Sequence, residues 1–210
     1  MKQNRKVDKV VIFDCDGVMF DSKKANENFY NHILSHFGLP PMTEGQVEYV
    51  HMHTVIESLR FLFKGTPYFE DALRYREVMD YRPFIKDMVM EDGLVELLEM
   101  LRPRYGLAVA TNRSDTIGEV LKTFKIDHFF DIVISSLDVK NPKPHPESLI
   151  KILNFFNLPP KDAYYVGDSP VDSQTARASR VNFIAYKRND LDADYHIDHL
   201  MQIAKIIIDT

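Results

Sequence analysis

A chain of 210 residues with 45% hydrophobic composition can bury one compact core and has room for a modest insertion. Its 26 basic and 31 acidic residues leave a net charge of -5 with no long run of one sign, which argues against a polyanion-binding surface and so against nucleic acid as a partner. No segment approaches the roughly 18 apolar residues of a membrane span, so no membrane partner is expected.

The polar start, residues 1–6, has no signal-peptide stretch, and the single Cys15 rules out an internal disulfide; both agree with a cytoplasmic location. Residues 10–13, Val-Val-Ile-Phe, read as the first strand. A long interval, 22 to about 86, then reads as helices alone. Phe29, Ile33 and Phe37 line one face beside Tyr30 and Leu34; Val55, Leu59, Leu62 and Phe63 form a second stripe; Phe69, Ala72, Leu73 and Met79 form a third. Breaks at 38–41 and 64–67 separate them. A crossover needs only about a dozen residues, so 22–86 is expected to be an all-helical cap inserted into a core of residues 1–21 and 87–210.

Further strands are predicted at 107–110, 131–134, 163–166 and 182–186. Between them, Ile117, Val120, Leu121 and Phe124 have helical spacing behind a Ser114 cap, and Leu149, Ile150, Leu153 and Phe156 repeat it after Pro146. Alternating strands and helices imply an α/β fold, a Rossmann-like parallel sheet with helices on both faces.

In such a sheet, ligands bind beyond the carboxyl ends of the strands. Asp14, Thr111 and Asp168 each stand just past an apolar strand, Asp16 and Asp172 follow close behind, and Lys143 sits in the Pro-rich loop after the third core strand. Carboxylates gathered at one edge repel unless a cation compensates. The oxygen donors, and the absence of His and Cys clusters, favour Mg2+ over zinc. Metal and Lys143 together suit the oxygens of a transferring phosphoryl group, Thr111 can hold another, and a carboxylate can act as nucleophile.

Val11 to Val18, Val-Ile-Phe-Asp-Cys-Asp-Gly-Val, resembles the first motif of the haloacid dehalogenase superfamily. Ala110-Thr111-Asn112-Arg113 resembles the second, Lys143-Pro144-His145-Pro146 the third, and Gly167-Asp168-Ser169-Pro170-Val171-Asp172 the fourth. The resemblance spans residues 8–190 or so, and a helical insertion directly after motif one is similar to the cap of the phosphoglycolate phosphatase and β-phosphoglucomutase branch. It implies that Asp14 is the nucleophile and a metal ligand, and that Asp16 is the general acid and base and binds metal through its carbonyl oxygen. Thr111 and Lys143 would bind the phosphoryl group, and Asn112 would orient substrate oxygens. Asp168 would complete the metal site, with Asp172 either a further ligand or a partner of one. The implied activity is Mg2+-dependent hydrolysis of a small phosphorylated metabolite through an aspartyl-phosphate.

Two positions depart from the pattern: Val18 replaces the commoner threonine, and Arg180 ends a helix where the family usually has glycine. Singly, Asp168 or Asp172 would read as a helix cap, Lys143 as a solvated loop lysine and Cys15 as a packing residue. His51 and His53 are expected to face the leaving group. A phosphomutase would share this chemistry, although the loop at 51–55 lacks the glycine and arginine of β-phosphoglucomutase-type caps. A phospho-accepting switch or binding protein is the non-catalytic alternative, and Asp16 argues against a haloacid dehalogenase proper.

Overall fold

The computed structural model describes residues 6–208. Val10–Phe13 (β1) is fully buried along its length, as a strand covered on both faces must be. A tight loop leads to the two-residue strand Phe20–Asp21 (β2). Five helical elements follow: α1 (Lys23–His36), α2 (Glu44–Met52), α3 (Val55–Leu62), α4 (Phe69–Val78) and the single turn α5 (Arg82–Ile85). The chain returns along Val89–Met90 (β3), antiparallel to β2, with Phe20 opposite Met90 and Asp21 opposite Val89. Both ends of the helical segment therefore join the core through one short ribbon.

The remainder alternates: α6 (Leu94–Leu101), β4 (Gly106–Ala110), α7 (Ile117–Thr123), β5 (Ile132–Ile134), α8 (Glu147–Phe156), β6 (Ala163–Gly167), α9 (Pro170–Ser179), β7 (Asn182–Tyr186), β8 (Tyr195–Ile197) and α10 (Gln202–Ile208). Six strands form a parallel sheet in the order β5-β4-β1-β6-β7-β8. Residues of β1 alternate between two cores, Val11 and Phe13 on one side with α6, α7 and α10, Val10 and Ile12 on the other with α8 and α9. This is the α/β architecture that the strand and helix alternation predicts. Among the described residues no helix is long and apolar enough to cross a membrane.

Several details differ, and α6, β8 and α10 were not predicted. Ser114 is not the cap of α7: the N-cap is Thr116, while the Ser114 hydroxyl accepts from Arg76 and donates to Asp115. α2 was not predicted, because it buries only Val47 and Val50 and carries Gly45. Its last turn holds His51, so the stretch expected to be a loop is a helix end and the N-cap of α3, Thr54. Arg180 does adopt the left-handed conformation, with φ 60°.

Candidate active site

Register brings the site together. Phe13 pairs with Val109 on one side and Val166 on the other, so Asp14 leaves β1 one residue before Thr111 and Asp168 leave theirs. Two glycines permit the close approach of the acids. A Cβ on Gly17, at φ 78°, would lie 2.1 Å from an Asp168 carboxylate oxygen, and one on Gly167 would lie 2.4 Å from the Asp172 Cβ.

Lys143 is the hub. Its buried Nζ lies 3.0 Å from Asp14 Oδ1 and 2.7 Å from Asp172 Oδ1, and donates to the Tyr165 hydroxyl at 2.8 Å. Tyr165 in turn donates to Asp172 Oδ1 at 2.6 Å. The other Asp172 oxygen accepts from the backbone N–H of Ser169 at 3.1 Å and from its hydroxyl at 2.5 Å, as the third residue of a capping box. Asp172 thus positions Lys143 and starts α9. Asn112 holds the same loop from the opposite side. Its Oδ1 accepts from the Lys143 N–H, and its Nδ2 donates to the Lys143 carbonyl, both at 3.1 Å, and to the Met52 carbonyl at 3.3 Å. The Asn112 amide is therefore occupied in placing Lys143, where substrate orientation was expected. Thr111 is buried, and its Oγ1 accepts from the Arg113 N–H at 3.1 Å.

Asp14, Asp168 and Asp172 each offer an oxygen within 4.8 Å of the others. Burial pushes the Asp14 carboxyl up to about 7; Lys143 opposes this, and the Asp172 and Asp16 charges add to it. Burial, then the Asp172 and Asp14 charges, pushes Asp168 well above the carboxylate range. Among the described residues nothing hydrogen-bonds its side chain. Crowded oxygen donors whose charges are uncompensated fit a hard divalent cation. Asp172 differs: burial raises it, but Lys143 and the hydrogen bonds to both oxygens bring it below the usual range. Asp14 and Asp168 are the better placed ligands.

The Asp16 carboxylate is not part of that cluster. It forms a two-pronged ion pair with Arg113, Nε to Oδ2 at 2.8 Å and Nη2 to Oδ1 at 2.6 Å, and also accepts from the Ser22 hydroxyl. Burial raises its pKa, but the Arg113 charge and hydrogen bonds overcome this and hold it below the carboxylate range. Cys15 is buried and its thiol pushed far up, by burial first and then the Asp16 charge; it is a packing residue, as expected.

The helical segment closes the site. His51 and His53 border the same cavity as Asp14 and Lys143, a space of about 60 Å³. The His51 Nδ1 meets the Asn26 amide at 3.2 Å, and burial lowers its pKa. His53 is stacked on Tyr49 at 3.8 Å, with Nδ1 against the Tyr49 carbonyl at 2.8 Å. Arg76 of α4 bonds Ser114 and Asp115 on the core.

Sequence reading missed Tyr165, which resembles any core aromatic of a buried strand, and gave no role to Arg113 and Ser22. A hydroxyl-bearing ring two residues before the Gly167-Asp168 strand end was the available signal for Tyr165.

A buried lysine shared between acids at the carboxyl edge of a parallel sheet suits the handling of phosphoryl groups. The chain belongs to the haloacid dehalogenase-like hydrolases, whose family pattern it matches over residues 11–186. It is 27% identical to Pyrophosphatase PpaX of Bacillus mycoides (strain KBAB4), across 94% of this chain and 95% of that protein. Among solved structures it is similar to a HAD-superfamily hydrolase, subfamily IA, of Geobacter sulfurreducens PCA, with 41% identity, a TM-score of 0.84 and coverage of 94% of this chain and 98% of that one. A predicted phosphoglycolate phosphatase of Haemophilus somnus 129PT shares the fold, with a TM-score of 0.81 at 24% identity, over 96% of this chain and 98% of that one.

Proposed function

We propose that this protein is a phosphatase that hydrolyses a small phosphate monoester through an aspartyl-phosphate on Asp14. The observation that carries the reading is the Asp14–Lys143 pair, buried at the strand ends beside Asp168 and Asp172. Asp14 attacks phosphorus while the ester oxygen leaves with a proton from Asp16, which is ionised while paired to Arg113 and takes that proton from solvent once the pair is released. Asp16 then takes a proton from the water that cleaves the aspartyl-phosphate. Lys143 and Thr111 hold phosphoryl oxygens throughout. Asp14, Asp168 and the Asp16 carbonyl would hold Mg2+, which supplies positive charge against the phosphoryl oxygens. Relatives named as pyrophosphatases support a small, charged metabolite as the partner.

The helical segment acts as a lid on the β2–β3 ribbon, with hinges near Asp21 and at 82–87. It excludes water that would weaken every charge interaction and opens for product release. The test is a panel of phosphate monoesters and pyrophosphate with and without Mg2+. Turnover that EDTA removes and Mg2+ restores, and that Asp14→Asn abolishes, is expected. Retention of a tenth of wild-type kcat by that variant, about 1.4 kcal/mol in barrier, would exclude the covalent route.

A further inference from the structure

Both oxygens of the Asp16 carboxylate are taken in this structure, Oδ2 by Arg113 Nε and Oδ1 by Arg113 Nη2 and Ser22. A carboxylate held in this way cannot reach a leaving oxygen until its grip is released. Arg113 is the other half of the problem. Its side chain is 6% exposed, and its remaining donors go to neutral groups, Nη1 to the Tyr81 hydroxyl at 2.9 Å and Nη2 to Asn26 Oδ1 at 3.3 Å. The guanidinium also stacks over the Tyr81 ring at 5.2 Å. Asp16 is therefore the charge that compensates a buried guanidinium, and to remove it without replacement would leave that cation uncompensated.

The same guanidinium borders the cavity that holds Asp14 and Lys143, alongside His51, Asn26 and Tyr81 from the helical segment. The cavity lining thus includes a fork of N–H donors, filled here by Asp16, of the shape that a carboxylate or phosphate takes. We propose that Arg113 is an exchange site: it holds Asp16 while the pocket is empty and takes the anionic end of the leaving group when substrate binds, so that binding itself frees Asp16. The substrate class this selects is a phosphate ester or anhydride whose leaving group carries a second anion, such as pyrophosphate or a phosphorylated carboxylate. A neutral leaving group has nothing to offer Arg113, and Asp16 stays bound to it.

The inference rests on the phosphatase reading for its catalytic consequence, and a binding measurement tests it apart from turnover. Two readouts are required, both with Mg2+ in excess over ligand. The first is the ratio of kcat/KM for pyrophosphate to that for an aryl phosphate with a neutral leaving group. In Arg113→Met, which loses two charge-assisted hydrogen bonds, this ratio falls at least about 100-fold, and in Arg113→Lys, which keeps the charge but loses the fork, about tenfold. The second is calorimetric binding of methylenediphosphonate, a non-hydrolysable pyrophosphate analogue. Asp16→Asn removes the competing carboxylate, so this variant binds the analogue at least about tenfold more tightly than wild type, whereas Arg113→Met binds it at least about 100-fold more weakly.

An Arg113 that serves only to support Asp16 gives a different pattern: both substrates lose the same factor in Arg113→Met, and Asp16→Asn does not tighten the analogue. Either result overturns the exchange. Should wild type turn over neither ester, the phosphatase reading fails, and the binding arm alone decides whether Arg113 trades Asp16 for a bound anion.

Discussion

The acidic cluster should destabilise the metal-free fold, and Asp14→Asn measures by how much. A carboxyl moved from 3.8 to about 7 costs the folded, charged form about 4 kcal/mol, at about 1.36 kcal/mol for each tenfold change in proton affinity. The folded-state value is raised, so this contribution to stability is fully present below 3.8 and lost as pH rises through about 7. The neutral amide of Asp14→Asn keeps the shape and escapes the loss, and Lys143 retains Asp172 as its partner. In EDTA, wild type and variant should therefore be equally stable near pH 3.5. The variant should gain as pH rises, to about 4 kcal/mol at pH 8, or about 8–16 °C in Tm for a chain of this size. Excess Mg2+ should narrow the gap at pH 8 by stabilising wild type more than the variant. Thermal melts from pH 3.5 to 8 with and without Mg2+ decide it. A difference that is flat with pH, or a variant less stable than wild type at pH 8, would refute the claim that the charged Asp14 is strained by its burial.

Tyr165→Phe removes the hydroxyl that joins Lys143 to Asp172. Each such bond is worth about 1.5–3 kcal/mol, so kcat/KM should fall about 10–100-fold and competitive inhibition by inorganic phosphate should weaken; unchanged phosphate inhibition would mean that Lys143 holds its place without it. Arg180→Gly relieves a left-handed residue at φ 60° and should raise stability by about 1 kcal/mol, or about 2–4 °C, with kcat unchanged. Alanine at both His51 and His53 should change kcat/KM by different factors for different esters, while inorganic phosphate inhibits as before; a uniform loss would remove them from leaving-group selection.

Much of this was legible because it is local. An apolar β-branched run that ends in an acid states both the strand and where its last side chain emerges, and parallel register does the rest: Asp14, Thr111 and Asp168 meet because their strands are neighbours. What could not be read is set by distant partners. Arg113 grips Asp16 from 97 positions away, and nothing in either local stretch announces it. Asn112 reads as a substrate contact until the Lys143 loop, 31 positions on, is seen to take up its amide. Tyr165 reads as a core ring until its hydroxyl is seen to bond both Lys143 and Asp172. The missed α2 and β8 share a different cause. Each is short and half-exposed, so its apolar pattern is too sparse to show a period.

The central claim is that Asp14 carries the phosphoryl group, and one measurement addresses it directly. Enzyme quenched in acid during turnover, digested and sequenced by mass spectrometry should show a phosphoryl group on Asp14, absent from Asp14→Asn. Turnover with no phosphorylated peptide, or with the group on another residue, would contradict the account.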